Sequence, residues 1–180
     1  MAILAVNAGS STLKFSLHPL HEGRVQPSVL SGNIQGLEPG GTAEMGWSWQ
    51  GQAQRRSLPA VAGDAFSQAL SSLRELLATQ SGVPAIEAVA HRVVHGGAQF
   101  SASVIVTDAV LEQLTALNSL APLHQPHNLQ GVRAFRRAFP LLPQIACFDT
   151  AFHATLSEVD YAFALPQALA AQGVRRYGFH

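Results

Sequence analysis

The sequence is poor in charge. Only 12% of its 180 residues are charged, and 11 basic residues balance 11 acidic ones, so the formal net charge is zero. Because no basic excess is present to neutralise a phosphate backbone, we expect no dedicated binding of nucleic acid. Hydrophobic residues make up 47% of the chain. That content argues against disorder and predicts a folded core.

Cysteine and membrane-spanning segments are also scarce. Cys147 is the single cysteine, so no disulfide can form within the chain and no cluster of thiolates can hold a metal. The first residues are apolar but have no basic segment before them, and no apolar run reaches the roughly 18 residues that a membrane span requires. We therefore expect a cytoplasmic protein with no membrane association.

The hydrophobic pattern changes along the chain from strand-like to helical. Alternating or short apolar runs predict six strands, at residues 2–6, 13–17, 29–35, 44–50, 86–94 and 144–148. The first two strands are expected to form a hairpin. Apolar stripes with helical spacing predict three helices: one capped by Asp64, one that begins behind Thr107 or Asp108, and one with its apolar stripe over residues 129–139. Pro166 indicates the start of a short fourth helix. This order predicts an α/β fold, a mixed sheet covered by helices.

A polar turn follows the first predicted strand. Residues 7–14, with the sequence NAGSSTLK, combine a glycine, clustered hydroxyl groups and a lysine. Such a turn can bind phosphate through its backbone N–H groups. The spacing is not that of a Walker loop, and a strand rather than a helix follows. The same residue types are common in ordinary hairpin turns, so this segment alone leaves both interpretations open.

Two of the predicted buried strands carry a charged residue at their carboxyl end. Arg92 precedes Gly96 and Gly97, and an arginine in that position can bind a carboxylate or a phosphate through two parallel hydrogen bonds. The alternative is an edge-strand arginine that extends to solvent. Asp149 directly follows residues 144–148, where an aspartate can hold magnesium directly or through water. The alternative is an aspartate that caps a helix.

Histidines lie between the second and third predicted helices and at the end of the chain. His124 and His127 are three residues apart, but no third ligand has a suitable spacing, which argues against zinc. We interpret His127 as a residue of the helix start. His124, next to two prolines, is the better candidate for contact with a ligand. His180 is the last residue, and position alone would favour a frayed end.

Five segments together resemble the acetate and propionate kinase family: NAGSSTLKF, HRVVHGG, APLHQPHN, FDTAFH and YGFH, in that order. The resemblance implies the ribonuclease-H-like fold of actin, hexokinase and Hsp70, with residues 1–150 as one domain and residues 151–180 as the start of a second. It also implies reversible phosphoryl transfer from ATP to acetate, giving acetyl phosphate and ADP. Because family members are longer, we expect this chain to be an N-terminal portion that is inactive alone.

The resemblance also implies roles for individual residues. Arg92, Asp149, His124 and His180 are the implied catalytic residues; Asn7, Ser10, Thr12 and Lys14 face the nucleotide phosphates; Asn7 and Asp149 place Mg²⁺; and Arg92, Val94 and Leu123 bind acetate. Two positions depart from the usual pattern. Thr12 replaces a serine and keeps the hydroxyl group. Gln125 replaces an asparagine, and we expect its added methylene to shift the loop that presents His124.

Two other functions stay open on the sequence. One is a propionate or butyrate kinase, because one methylene in an acyl pocket is worth only about 1–3 kcal/mol. The other is a non-catalytic phosphate-binding domain that has kept the fold. For the longer protein the resemblance implies a homodimer. For this chain alone we expect exposed apolar surface and self-association.

Overall fold

The fold is built on one mixed β-sheet. The computed structural model describes residues 1–59 and 64–178. Its strands are β1 (Ala2–Ala8), β2 (Leu13–His21), β3 (Arg24–Val25), β4 (Leu30–Gln35), β5 (Glu44–Trp49), β6 (Gln52–Ser57), β7 (Ile86–Val93), β8 (Val104–Ile105) and β9 (Gln144–Phe148). Its α-helices are α1 (Ala65–Thr79), α2 (Asp108–Ala116), α3 (Gln125–Ala138), α4 (Glu158–Tyr161) and α5 (Gln167–Ala171), and 3-10 helices cover Asn118–Leu120 and Asp149–His153.

The sheet has an antiparallel half and a parallel half. Its strand order is β6-β5-β4-β2-β1-β7-β9-β8, with β3 paired to β2 alone. From β6 to β1 the neighbours are antiparallel, and the predicted hairpin of β1 and β2 is confirmed. β1, β7 and β9 run parallel to one another. Their carboxyl ends therefore meet at one edge of the sheet, which is where ligands bind in α/β folds.

The strands of the sheet alternate between buried and half-buried residues. The buried side chains form the face that packs against the helices. In β1, Leu4 and Val6 point into the core, and β2 adds Phe15. Buried residues of α1 and α3 cover them, including Leu73 and Phe135. A second cluster packs α2 and α3 over β7 and β9. The predicted mixed sheet covered by helices is thus confirmed.

Helix starts follow from capping side chains. The Asp64 carboxylate accepts the backbone N–H of Phe66 at 3.0 Å and begins α1, as predicted. Of the two candidates for α2, Thr107 is the cap, and its hydroxyl oxygen accepts from Val110. α3 begins at Gln125, before its apolar stripe, so His127 lies within its first turn. The interpretation of His127 as a helix-start residue is confirmed.

Three strands were not predicted from the sequence. β6 has the polar sequence QAQRRS and is mostly exposed, so it carries no alternation of apolar residues. β3 and β8 have two residues each, too few for any period to show. The β5–β6 hairpin turns through Gln50 and Gly51, with φ of 49° and 86°. Both values are positive, as a two-residue type I′ turn requires.

Burial changes after Thr150. From residue 151 to residue 178 every described residue is exposed or half-buried, although α4 and α5 lie in this stretch. The division into two domains at residue 150 stays a prediction. Among the described residues, no helix combines the length and the apolar character needed to cross a membrane.

Candidate functional site

A row of side chains crosses the sheet on the face opposite the helices. β1 and β2 pair Asn7 with Lys14, and β7 and β9 pair Arg92 with Cys147. The parallel register of β1 and β7, extended by one residue, brings Asn7 beside Arg92. These side chains, with Asp149, line an open pocket of about 390 Å³. The structure thus brings together four of the residues proposed from the sequence, from three separate segments of the chain.

Arg92 and Asp149 form an ion pair at the edge of this pocket. Arg92 Nη2 donates to Asp149 Oδ2 at 2.6 Å, and Arg92 Nε lies 3.0 Å from both carboxylate oxygens. The side chains are 42% and 20% exposed, so the pair faces solvent on one side. The planar guanidinium group is therefore held in one orientation by its neighbour.

The structural alternatives for these two residues are wrong. β7 lies between β1 and β9, so Arg92 is not on an edge strand. The cap position of the 3-10 helix Asp149–His153 is taken by Phe148, so Asp149 is not its cap, and the Asp149 carboxylate binds Arg92. Sequence alone could not separate these cases, since the partner is 57 residues away along the chain.

The turn between β1 and β2 is tight. The Gly9 N–H donates to the Thr12 carbonyl oxygen at 2.8 Å, and a Cβ on Gly9 would lie 3.2 Å from Thr12 Oγ1. Ser10 is exposed, and Thr12 is half-buried. The turn leaves the sheet at the same end as Arg92, so its hydroxyl groups lie at the edge of the parallel strands. Phosphate binding by Ser10 and Thr12 stays a prediction.

The remaining predicted residues are not gathered in the pocket. His124 precedes α3 as its cap residue and is exposed, and Leu123 is 77% exposed. Val94, by contrast, is buried. None of the three lines the pocket beneath Arg92. His180 lies outside the described residues, so its predicted role is untested.

The segment before His180 reaches the loop after β7. The ring of Tyr177 packs edge-on against the ring of His95, with 4.5 Å between centroids. Burial lowers the pKa of His95, which favours the neutral imidazole. His95 Nδ1 accepts the backbone N–H of Gly97 at 2.9 Å. A neutral ring can accept in this way.

His91 lies on the opposite side of β7, in the core. Its Nε2 is 2.8 Å from Oε1 of Gln144, and its ring packs edge-on against Phe135. Because the Gln144 amide nitrogen donates to Leu142, the Oε1 atom is the acceptor and the His91 Nε2 carries the hydrogen. Burial lowers the pKa of His91 to about 4, against a smaller upward effect of the Gln144 hydrogen bond. His91 is therefore a neutral core residue.

Sequence reasoning missed three buried polar side chains near the site. Gln125, Asn128 and Thr150 are 0%, 6% and 5% exposed, and each binds backbone of the loop that follows β7. For Gln125 and Asn128, the sequence signal was the run of polar residues at the start of α3, because amide side chains that are buried there need hydrogen-bond partners. Gln125 was noted only as a departure from a motif.

The donors of the pocket fit a magnesium ion that is held largely by other ligands. Among the described residues, no group of three or more His, Cys, Asp or Glu side chains could bind a metal by itself. Asp149 and Asn7 nevertheless line one pocket. Magnesium in phosphotransfer sites keeps several waters and takes one or two carboxylates together with phosphate oxygens. One carboxylate and one amide oxygen fit that pattern.

Comparison with known proteins assigns the chain to a family. The sequence model of the Acetokinase family matches residues 2–180. The chain belongs to the acetokinase family. It is 46% identical to the acetate kinase of Deinococcus radiodurans over 100% of this chain and 44% of that protein. It is also 40% identical to a propionate kinase of Citrobacter rodentium, with 99% and 43% covered.

Solved structures of acetokinases share the fold. A propionate kinase from Francisella tularensis superposes with a TM-score of 0.88 at 33% identity, over 99% of this chain and 45% of the other. An acetate kinase from Porphyromonas gingivalis gives 0.81 at 33% identity, with the same shares covered. The predicted ribonuclease-H-like fold is thereby confirmed. The chain spans less than half the length of these acetokinases.

Proposed function

We propose that this chain carries the acetate-binding and phosphate-binding portion of an acetate kinase. The enzyme would transfer a phosphoryl group reversibly between ATP and acetate, giving ADP and acetyl phosphate. The observation that carries the proposal is the Arg92–Asp149 pair, at the ends of two parallel strands and in one pocket with Asn7 and Lys14. Membership of the acetokinase family supports it independently.

The chemistry of this transfer suits the residues present. Acetate is already ionised at neutral pH, so the reaction needs no strong general base. It needs in-line placement and positive charge around the phosphoryl oxygens. Asp149 binds the Nε and Nη2 atoms of Arg92, which leaves the Nη1 side for an acetate or phosphoryl oxygen. Asp149 thus orients the group that binds the substrate.

The other site residues complete the proposal. Ser10, Thr12 and Lys14 would bind the nucleotide phosphates, and Asn7 with Asp149 would hold magnesium. Magnesium bound there would neutralise charge on the phosphate oxygens. His124 and His180 would donate hydrogen bonds to the transferring group, and each such donor is worth about 3 kcal/mol of transition-state stabilisation. Val94 and Leu123 would border the acetate methyl group.

A propionate kinase is the second candidate. Relatives with that activity in their names include the Citrobacter protein and the Francisella structure. Leu123, the proposed pocket residue, is 77% exposed and so sets no size limit on the acyl chain here. For the longer protein we further propose a cytoplasmic homodimer with no nucleic-acid or membrane partner.

The test is trapping of the acyl phosphate with hydroxylamine. Magnesium-ATP and either acetate or propionate are supplied to this chain and, in parallel, to the translation product of its complete gene. We expect hydroxamate from the complete product and none from the chain alone, since the chain matches only 44% of its acetate kinase relatives. The ratio of rates with acetate and propionate decides between the two kinases. No hydroxamate from either preparation would favour a non-catalytic phosphate-binding domain.

A further inference from the structure

The backbone that follows β7 is held by side chains rather than by strands. Four consecutive N–H groups donate to them: Val94 to Asn128 Oδ1 at 3.0 Å, His95 to Gln125 Oε1 at 3.1 Å, Gly96 to Thr150 Oγ1 at 2.9 Å and Gly97 to His95 Nδ1 at 2.9 Å. Buried backbone groups need such partners when a strand ends. The conformation of this loop, residues 94–97, therefore depends on a few named side chains.

Gln125 binds both polar backbone groups of one residue. Its Nε2 donates to the His95 carbonyl oxygen at 2.9 Å, while its Oε1 accepts the His95 N–H. The side chain is fully buried, with 0% exposure. Gln125 is the first residue of α3 and directly follows His124. One amide thus fixes the start of α3, and the backbone of His124 with it, to the loop.

Asn128 connects a third segment, the end of β1, to the loop of residues 94–97. Its Nδ2 donates to the Ala8 carbonyl oxygen at 2.7 Å, while its Oδ1 accepts the Val94 N–H. Ala8 ends β1 just before the turn that contains Ser10 and Thr12. Asn128 therefore joins the ends of β1 and β7, two strands that carry Asn7 and Arg92.

We propose that Gln125 and Asn128 are positioning residues of the candidate site. They fix the turn after β1, the loop after β7 and the His124 end of α3 relative to one another. Neither residue lines the pocket, so both act through the backbone they hold. The effect on catalysis rests on the proposed acetate kinase function, whereas the effect on loop geometry does not.

The first experiment measures loop geometry in this chain without any turnover. Gln125→Met keeps the length of the side chain and removes both hydrogen bonds to His95, together with a longer one, 3.4 Å, from Nε2 to the Leu114 carbonyl oxygen. Gln130→Met makes the same change on an exposed position of the same helix and serves as the matched control. Amide hydrogen exchange is followed residue by residue by NMR. We expect protection of His95 and its loop neighbours to fall by about tenfold or more in Gln125→Met alone, because a lost hydrogen bond frees the amide.

The exchange result decides the geometric claim. Equal protection in wild type, Gln125→Met and Gln130→Met would overturn it. Uniform loss of protection through β1, β7 and β9 would also overturn it, because that pattern reports a weaker fold rather than a released loop. Asn128→Leu gives a second, independent arm, with loss of protection expected at Val94.

The second experiment measures kinetics in the preparation that forms hydroxamate. We expect Gln125→Met to lower kcat by about tenfold and raise the KM for acetate, with the KM for magnesium-ATP unchanged. Gln125→Glu can make both contacts only when protonated, so its activity relative to wild type should recover as the pH is lowered. Kinetics equal to those of Gln130→Met would overturn the positioning role. A wild type without turnover would contradict the proposed function alone, and the exchange pattern would still test the positioning claim.

Discussion

Arg92 and Asp149 meet across the ends of two neighbouring parallel strands, with 2.6 Å between Arg92 Nη2 and Asp149 Oδ2. The pairing requires β7 and β9 to run parallel and in register, with Val93 opposite Phe148. Fifty-seven residues of chain separate the two partners. The sheet topology therefore creates this contact, and the contact orients the guanidinium group at the mouth of the pocket.

Replacing Asp149 with asparagine should separate function from stability. Both partners touch solvent, so the ion pair contributes at most about 1 kcal/mol to the free energy of unfolding. We expect urea denaturation to show a change within that limit. Hydroxamate formation by the complete gene product should fall by about 100-fold or more, because Arg92 loses its fixed orientation.

A matched control is available for this substitution. Asp108 forms a comparable surface pair with Arg136 at 2.7 Å, away from the pocket. Asp108→Asn should change stability by a similar small amount and leave hydroxamate formation unchanged. If Asp149→Asn reduced stability strongly and activity in proportion, the pair would be structural rather than functional.

His91 should make the fold sensitive to acid. Its pKa is about 4 in the folded chain, below the ordinary value of 6.5, because burial disfavours the charged ring. The stability that the neutral ring contributes is therefore fully present above pH 6.5 and is lost as the pH falls toward 4. The difference between the two pKa values corresponds to about 3 kcal/mol. As the pH falls across this range, the urea midpoint should decline less steeply in His91→Gln than in the wild type. The same dependence on pH in both proteins would contradict a lowered pKa of His91.

Gly131→Ala tests the approach of α3 to β1. Alanine normally stabilises a helix relative to glycine by about 1 kcal/mol. At this position, however, a Cβ would lie 2.5 Å from the Cβ of Ala8. We expect overpacking to prevail and to lower the free energy of unfolding by about 1–3 kcal/mol. Gln130→Ala, on the exposed side of the same helix, should be close to neutral. A stabilised Gly131→Ala would show that the helix can move away freely.

Cys147 offers a chemical probe of the pocket. It is the single cysteine, it is half-buried, and it lines the pocket beside Arg92. Saturating acetyl phosphate should slow its alkylation by a maleimide several-fold, while a chloride salt of equal ionic strength should not. Cys147→Ser should still bind the ligand. An alkylation rate that does not respond to acetyl phosphate would place the ligand elsewhere.

The sequence was sufficient to predict the strands and helices with strong periodicity. β1, β2, β7 and β9 all contain apolar runs or alternation, and α1 combines an apolar stripe with the capping residue Asp64. β6 could not be predicted, because its residues are polar and its only support is pairing with β5. The first residue of α3 could not be read from the apolar stripe, because Gln125 and Asn128 are buried polar residues and hydrophobic periodicity does not register them.

The candidate site was predicted residue by residue but not as a set of contacts. Arg92 and Asp149 were found from their positions after buried strands, and the structure joins them directly. The buried polar side chains Gln125, Asn128 and Thr150 were missed because each binds backbone far away along the chain. Such contacts have no signature in sequence spacing. Leu123 and Val94 were expected to border one acyl pocket. Leu123 is 77% exposed and Val94 is 2% exposed, and a shared acyl pocket stays a prediction.

The most direct measurement is a titration of the ¹⁵N-labelled chain with acetyl phosphate, followed by amide chemical shifts. We expect saturable shifts grouped at the turn after β1, at Arg92 and at Asp149, and their loss in Arg92→Lys, because lysine cannot reproduce the oriented fork of an arginine. We expect no grouped shifts with sodium chloride at the same ionic strength. Shifts centred instead on the arginines of α3, namely Arg133, Arg136 and Arg137, would contradict the assignment of the site.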